Sequence, residues 1–252
     1  MINSSKELKR ASGVKQIKTN KIKLENQAFD SDAAKESVLY LNKRYKTDFS
    51  EDYIVKKFKA VTDSVQFFNL NHLNQISFSN FDYQKAIGFI SSDSSHIVYR
   101  DLTGQQKTRY NNLCLNPDLE ESSKVYNIST TVDVMAPSVD LIITEGIFDI
   151  IGVYSHFYKD NDENKIFAAS CGKSFLTVIL KYIRMGFLNL NIIIYSDADV
   201  NISFYKSMKN RSPYLKNAKI TVYYNDLYDP NTGFGKDYGC PIEEIKLKKF
   251  II

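Results

Sequence analysis

Apolar positions in this chain follow one period, then another, and the changes divide it. Asp32 is placed to cap a helix through residues 33–45, with Val38, Leu39 and Leu41 on its inner side. Ser50 opens a second helix, SEDYIVKKF, in which Glu51 and Asp52 suit the positive end of the helix dipole. Residues 65–135 predict β structure. VQFFNL, QISFSNF, KAIGFIS, HIVYRDL, KTRYNNL and KVYNIST are short, aromatic or β-branched, and separated by Asn, Ser, Asp and Gly turn residues. Ala136-Pro137-Ser138 marks a boundary.

Beyond it, strands and helices alternate. Val139–Thr144 predicts a buried strand and Ile147–Phe157 a helix, with Ile147, Ile150, Ile151 and Tyr154 three and four apart. A strand over 165–170 precedes a helix stripe of Phe175, Val178, Ile179, Tyr182 and Ile183 that ends near Gly186. Leu190–Tyr195, a short helix over 202–209 and a strand over 220–224 complete the series. Such alternation predicts a mainly parallel sheet with helices on both faces. The expected fold class is α+β: a mixed subdomain over 28–136, an α/β domain over 137–228, and a tail over 229–252.

Composition adds limits. The 252 residues are 43% hydrophobic and 25% charged, an ordinary globular composition. No apolar run approaches the ~20 residues of a membrane helix, and the start is not a secretory signal, so a cytoplasmic protein is expected. Three widely spaced cysteines give neither a disulfide framework nor a zinc site. Net charge is +4, but residues 1–27 read as a basic arm, residues 1–24 alone carrying +6 and the remainder −2.

The candidate chemistry lies in two acidic groups. Glu145-Gly146-Ile147-Phe148-Asp149 follows the first strand of the α/β half, and Asp197-Ala198-Asp199 follows the third. Ligands of open parallel sheets bind beyond the carboxyl ends of the strands. If those two strands are neighbours, Glu145, Asp197 and Asp199 converge there, and an extended DxD would point both aspartates at the edge. Carboxylates without His or Cys suit a hard cation such as Mg²⁺. The alternative is that each acid caps a helix or ends a strand. Gly172-Lys173-Ser174 resembles the end of a P-loop, but Phe167 stands where its first glycine belongs. His72, His96 and His156 show no ligand spacing.

Glu145-Gly-x-x-Asp149 with Asp197-x-Asp199 resembles the toprim motif of bacterial-type primases, topoisomerases and some nucleases. Ala169-Ser170-Cys171-Gly172 and Lys236-Asp237 are similar to further primase segments. In the first half, Tyr40-Leu41-Asn42-Lys43-Arg44, Ile87-Gly88-Phe89, Arg109-Tyr110-Asn111-Asn112 and Val125-Tyr126-Asn127 resemble primase motifs in the family's order. The resemblance is to the catalytic core of bacterial or bacteriophage DNA primases and spans about residues 38–240. It implies RNA primer synthesis on a single-stranded DNA template from NTPs. Two Mg²⁺ or Mn²⁺ ions would be held by Glu145, Asp197 and Asp199, aided by Asp149 and Asp237. Arg44, Arg109 and Lys236, with Lys43 and Lys107, would contact phosphates. No zinc-ligand spacing precedes the core, so a separate zinc-binding subunit or a helicase is the partner implied. The basic residue expected just after "GF" is replaced by Ser91 and Ser92, with Arg100 a candidate substitute. The same acids also fit a toprim nuclease. A non-catalytic nucleic-acid-binding replication subunit is the third reading, in which the apolar end of KLKKFII docks on a partner.

Overall fold

The structure, a computed structural model, describes residues 24–73, 81–115, 124–172, 174–187 and 189–252. The basic arm up to residue 23, most of QISFSNF and Lys173 lie outside the described residues. Helix α1 is Asp32–Tyr45; its cap is Ser31, whose side-chain oxygen accepts from the Ala34 N–H, so Asp32 sits in the first turn. Helix α2, Glu51–Phe58, is capped by Ser50.

The expectation of a strand at VQFFNL is overturned. After the short strand β1 (Ala60–Val61), Ser64–Leu70 forms helix α3. Asp63 caps it, accepting from the Gln66 N–H at 2.9 Å, and Phe67 and Phe68 turn into the core. A short apolar run cannot tell strand from buried helix, and here the cap decides. Strands β2 (Ala86–Ile90), β3 (His96–Asp101) and β4 (Tyr110–Cys114) follow. They complete an antiparallel sheet in the order β1-β2-β3-β4.

The second sheet begins before the predicted boundary, at β5 (Tyr126–Asn127). Its other strands are β6 (Val139–Thr144), β7 (Lys165–Ala169), β8 (Leu190–Tyr195), β9 (Ile220–Asn225) and β10 (Leu247–Ile251). The order is β10-β9-β8-β6-β7-β5. The four central strands are parallel, and β5 and β10 flank them antiparallel. The KLKKFII segment is therefore hydrogen-bonded to β9 as an edge strand.

Period-two alternation fixes both faces. Leu141, Ile143, Ile192 and Ile194 pack on helices α5 (Phe175–Arg184) and α6 (Ile202–Arg211). Ile142, Phe167 and Tyr195 face α4 (Ile147–Phe157), and this layer is continuous with Leu41, Phe58, Ile87 and Phe89 of the first half. The two sheets thus share one core. Hydrogen bonds join them as well: the Tyr45 hydroxyl donates to the Phe148 carbonyl at 2.8 Å and the Tyr126 hydroxyl to the Phe58 carbonyl at 2.6 Å. Among the described residues no helix is long and apolar enough to cross a membrane.

Candidate active site

Strands β6 and β8 are hydrogen-bonded neighbours, with Ile143 opposite Ile194, so both chains leave the sheet at one edge. Glu145 follows β6 directly, and Asp197 follows β8 after the buried Ser196. Gly146 caps α4, and its N–H donates to the Asp149 carboxylate at 3.1 Å. A Cβ on Gly146 would lie 2.4 Å from that carboxylate, so only glycine admits Asp149 this close. The third contribution comes from the segment after β9. The Ala198 N–H donates to the Lys236 carbonyl at 2.9 Å, which ties Lys236 and Asp237 to the turn after β8. Asp237 in turn accepts from the Gly239 N–H at 3.0 Å.

Glu145, Asp149, Asp197 and Asp237 line one cavity of about 360 Å³ between the two halves. Its opposite wall is a face of the antiparallel sheet. Phe89 stands opposite Val98, Val98 opposite Asn112, and Arg100 opposite Tyr110 in the strand registers, and all five line the cavity. Cys171, at φ +50°, and Gly172, at φ +143°, close one side.

The electrostatics follow from this crowding. Burial pushes the Asp197 carboxyl up to about 7, and the negative charges of Glu145, Asp237 and Asp199 add to the rise against Lys236. Asp149 is raised well above the carboxylate range, by burial and then by Asp237 and Asp197. Arg44 and the Tyr238 N–H oppose that rise. One oxygen of Asp197, Oδ1, is buried with no hydrogen-bond partner.

Asp199 departs from expectation. The chain turns after Asp197, whose carbonyl accepts from the Val200 N–H at 3.1 Å. The rule that residues two apart share a side holds only for extended backbone. Asp199 consequently lies at the mouth, half exposed and paired with Lys236 at 2.8 Å, outside the cavity lining.

The basic residues separate as well. Arg44 is half-buried, stacked 5.1 Å from the Phe148 ring, and its Nη1 donates to the Tyr40 hydroxyl at 3.3 Å. Burial works to lower its pKa, but Tyr45, Tyr40, Asp237 and Asp149 outweigh this and raise it. Arg44 therefore balances the acids from behind the cavity. Arg109 is exposed and lines an adjoining cavity of about 420 Å³ with Tyr40 and Arg100. Lys43 and Lys107 are exposed and line neither cavity.

Arg100 links the two cavities. It is only 6% exposed, sits 4.5 Å from the centre of the Tyr110 ring, and has no hydrogen-bond partner at Nε or Nη1. Its place opposite Tyr110 is set by strand pairing, which the sequence does not display. Only its period-two spacing from Val98 hints at its side of β3.

Among the described residues no group of three His, Cys, Asp or Glu side chains is drawn tightly enough to enclose an ion as it stands. The donor set nonetheless fits a hard divalent cation. Its ligand atoms are carboxylate oxygens, one of them buried and unpartnered, and their mutual repulsion is what a cation would relieve.

No protein-family model and no curated protein matches this sequence. Solved structures do. The DnaG primase catalytic domain bound to ssDNA matches with a TM-score of 0.52 at 17% identity, over 82% of this chain and 69% of that one. The DnaG catalytic core matches with a TM-score of 0.51 at 17% identity, over 81% and 69%. The class defined is an α+β fold whose two sheets close over a cavity at the parallel strands' carboxyl edge. Within that class, the fold is that of a primase catalytic domain.

Proposed function

We propose that this chain is a primase-type nucleotidyltransferase that builds RNA on a single-stranded DNA template in replication. The observation that carries the reading is the opposition across one cavity. On one wall stand Glu145, Asp197 and Asp237; on the other stands Arg100, a buried guanidinium with unpartnered donors. Metal-chelated triphosphates present anionic oxygens to such donors and a divalent cation to such acids. The primase-like fold and the toprim-like order of Glu145, Asp149, Asp197 and Asp199 support it.

Glu145, Asp197 and Asp237 would hold the Mg²⁺ or Mn²⁺, with Asp199 beside them at the mouth. The bound cations would neutralise the triphosphate and lower the pKa of the primer 3′-hydroxyl for in-line attack. The chain's own groups do the rest. Arg100 and Arg109, on the two adjoining cavities, bind the nucleotide phosphates and the template backbone. Tyr110, held against Arg100, offers an aromatic face to a base. Phe89 and Val98 exclude water from one wall. Asp149 fixes the first turn of α4 by accepting from the Gly146 N–H, and so positions Glu145. Arg44 keeps the repulsion among Asp149 and Asp237 in check.

The test is incubation of the full chain with end-labelled single-stranded DNA, Mg²⁺ or Mn²⁺, and NTPs. RNA products that require both template and nucleotides support the proposal. Metal-dependent shortening of the DNA with no incorporation would identify a nuclease instead, and binding indifferent to EDTA with neither product would identify a non-catalytic subunit.

A further inference from the structure

A third cavity, of about 370 Å³, opens along the β5 edge of the parallel sheet. It lies between that edge, helix α5 and the link from α2 to β1. Its wall carries Lys59 and Lys181, and among the described residues no carboxylate lines it. Ser92, Asn127 and Thr130 supply polar groups, and Ile166 and Phe187 an apolar part. It shares no lining residue with the cavity of Glu145 and Asp197.

The two lysines are unusual in this chain. Most lysines with a described ion pair are solvated at the surface. Lys59 is half-buried and has no ion-pair partner among the described residues. Burial alone lowers its pKa. Lys181 donates to the Ser92 hydroxyl, and burial lowers its pKa too, with Lys59 adding to the drop. Among the described residues Asp93 is the acid that acts on Lys181, and it also accepts from Ser91 and Ser95. Two neighbouring ammonium groups are thus held together, partly stripped of water, and among the described residues only Asp93, outside the cavity lining, offsets them. Such an arrangement is costly unless an anion completes it.

The remaining groups define which anion. Asn127 donates through Nδ2 to the Tyr182 hydroxyl, and its Oδ1 is buried without a partner. A half-turn of the amide lets that oxygen accept from Tyr182 and frees an N–H₂ donor. Two ammonium groups, an amide and hydroxyls suit the several oxygens of a phosphate better than one carboxylate.

We propose that Lys59 and Lys181 form a phosphate-binding site separate from the carboxylate cavity. The phosphate group belongs either to a nucleic-acid strand passing along the β5 edge or to a free phosphorylated ligand. The assignment does not depend on the catalytic reading.

The experiment uses the full chain in EDTA, which silences divalent-dependent binding. Thermal unfolding is followed against pyrophosphate at constant ionic strength, and binding of a fluorescent single-stranded oligonucleotide is measured in parallel. Four proteins are compared: wild type, Lys59→Gln with Lys181→Gln, Lys59→Arg with Lys181→Arg, and Asp197→Asn. If the source is a free ligand, pyrophosphate raises the wild-type midpoint saturably. The Arg pair and Asp197→Asn then respond alike, and the Gln pair does not. If the source is a strand, pyrophosphate has little effect, while the Gln pair binds the oligonucleotide at least fivefold more weakly and the Arg pair keeps wild-type affinity. The Gln pair should itself unfold no earlier than wild type, since it removes two repelling charges. Equal pyrophosphate response and equal oligonucleotide affinity in wild type and the Gln pair would overturn the proposal. Loss of primer synthesis in Asp197→Asn, with the pyrophosphate response intact, would separate the two sites.

Discussion

Asp197 concentrates the electrostatic tension of the cavity. Its folded-state pKa is raised to about 7, by burial first and then by Glu145, Asp237 and Asp199. A raised carboxyl favours folding while it is protonated. Its contribution is complete below the ordinary value of about 4 and is lost as pH rises through the folded value. In EDTA, the thermal midpoint of the wild type should therefore fall between about pH 4 and 7, in the window set by those two values. Asp197→Asn should flatten that fall, and Mg²⁺ should restore the wild-type midpoint at pH 8. An unchanged midpoint on adding Mg²⁺ would count against a cation site. Arg100 makes the complementary prediction. Arg100→Met keeps the length and apolar packing but removes unpartnered buried donors. It should leave the midpoint at or above wild type while raising the KM for nucleotide at least tenfold, a loss of about 1.4 kcal/mol. A lowered midpoint with unchanged KM would make Arg100 a packing residue. Glu145 and Asp197 were legible in the sequence because each follows a buried strand, whereas Asp237 was offered only by the resemblance of Lys236-Asp237 to a primase segment. Asp199's displacement to the mouth was not, since it depends on a turn whose hydrogen bond joins Asp197 to Val200.

Helix α4 is the element that assembles the site. It begins at Gly146, buries Asp149 in its first turn, and meets the Asp237 segment at Gly152. A Cβ on Gly152 would lie 2.1 Å from the Tyr238 carbonyl oxygen. Inside a helix, Ala is ordinarily better than Gly by about 1 kcal/mol. Here the clash reverses that preference, and Gly152→Ala should destabilise by about 1–3 kcal/mol in urea unfolding. It should also weaken Mg²⁺-dependent stabilisation, because Asp237 must shift with Tyr238. Ser155→Ala, three residues along the helix, removes only a bond to the Ile151 carbonyl and should leave the Mg²⁺ effect intact. The predicted range of α4 matches the structure because its apolar stripe has a clear 3.6 period. The segment VQFFNL was misread because its six residues are too short to show a period, and its cap, Asp63, lies just before it. Strand β10 was not legible within the tail over 229–252 because its partner β9 lies more than twenty residues away.

At the scale of the molecule, the cavity exists because two sheets of different origin in the chain close on one core. Tyr45 and Phe58 from the first half pack with Tyr154 and Phe167 from the second. Tyr126 pairs with β7 while its hydroxyl reaches back to Phe58. Ala-Pro-Ser predicted a boundary near 136, yet β5 of the second sheet lies before it, and the shared core was not legible because it rests on contacts more than a hundred residues apart such as Tyr45 with Phe148. Unfolding should thus be a single transition. Tyr45→Phe and Tyr126→Phe, each losing a buried hydrogen bond worth about 1 kcal/mol, should lower that one midpoint rather than split it. Two separate transitions would show that the halves are independent and that the cavity is a loose contact between them.

The central claim is that the carboxylates facing Arg100 support templated nucleotide transfer. Its most direct measurement is the incorporation of labelled ribonucleotides on single-stranded DNA, with Mg²⁺ or Mn²⁺ titrated, by wild type and by Glu145→Gln and Asp197→Asn variants shown to be folded. The account predicts template-dependent RNA from the wild type, saturating with the metal, and a loss of at least a hundredfold, about 2.7 kcal/mol, in each variant. Incorporation by either variant at the wild-type rate would contradict it.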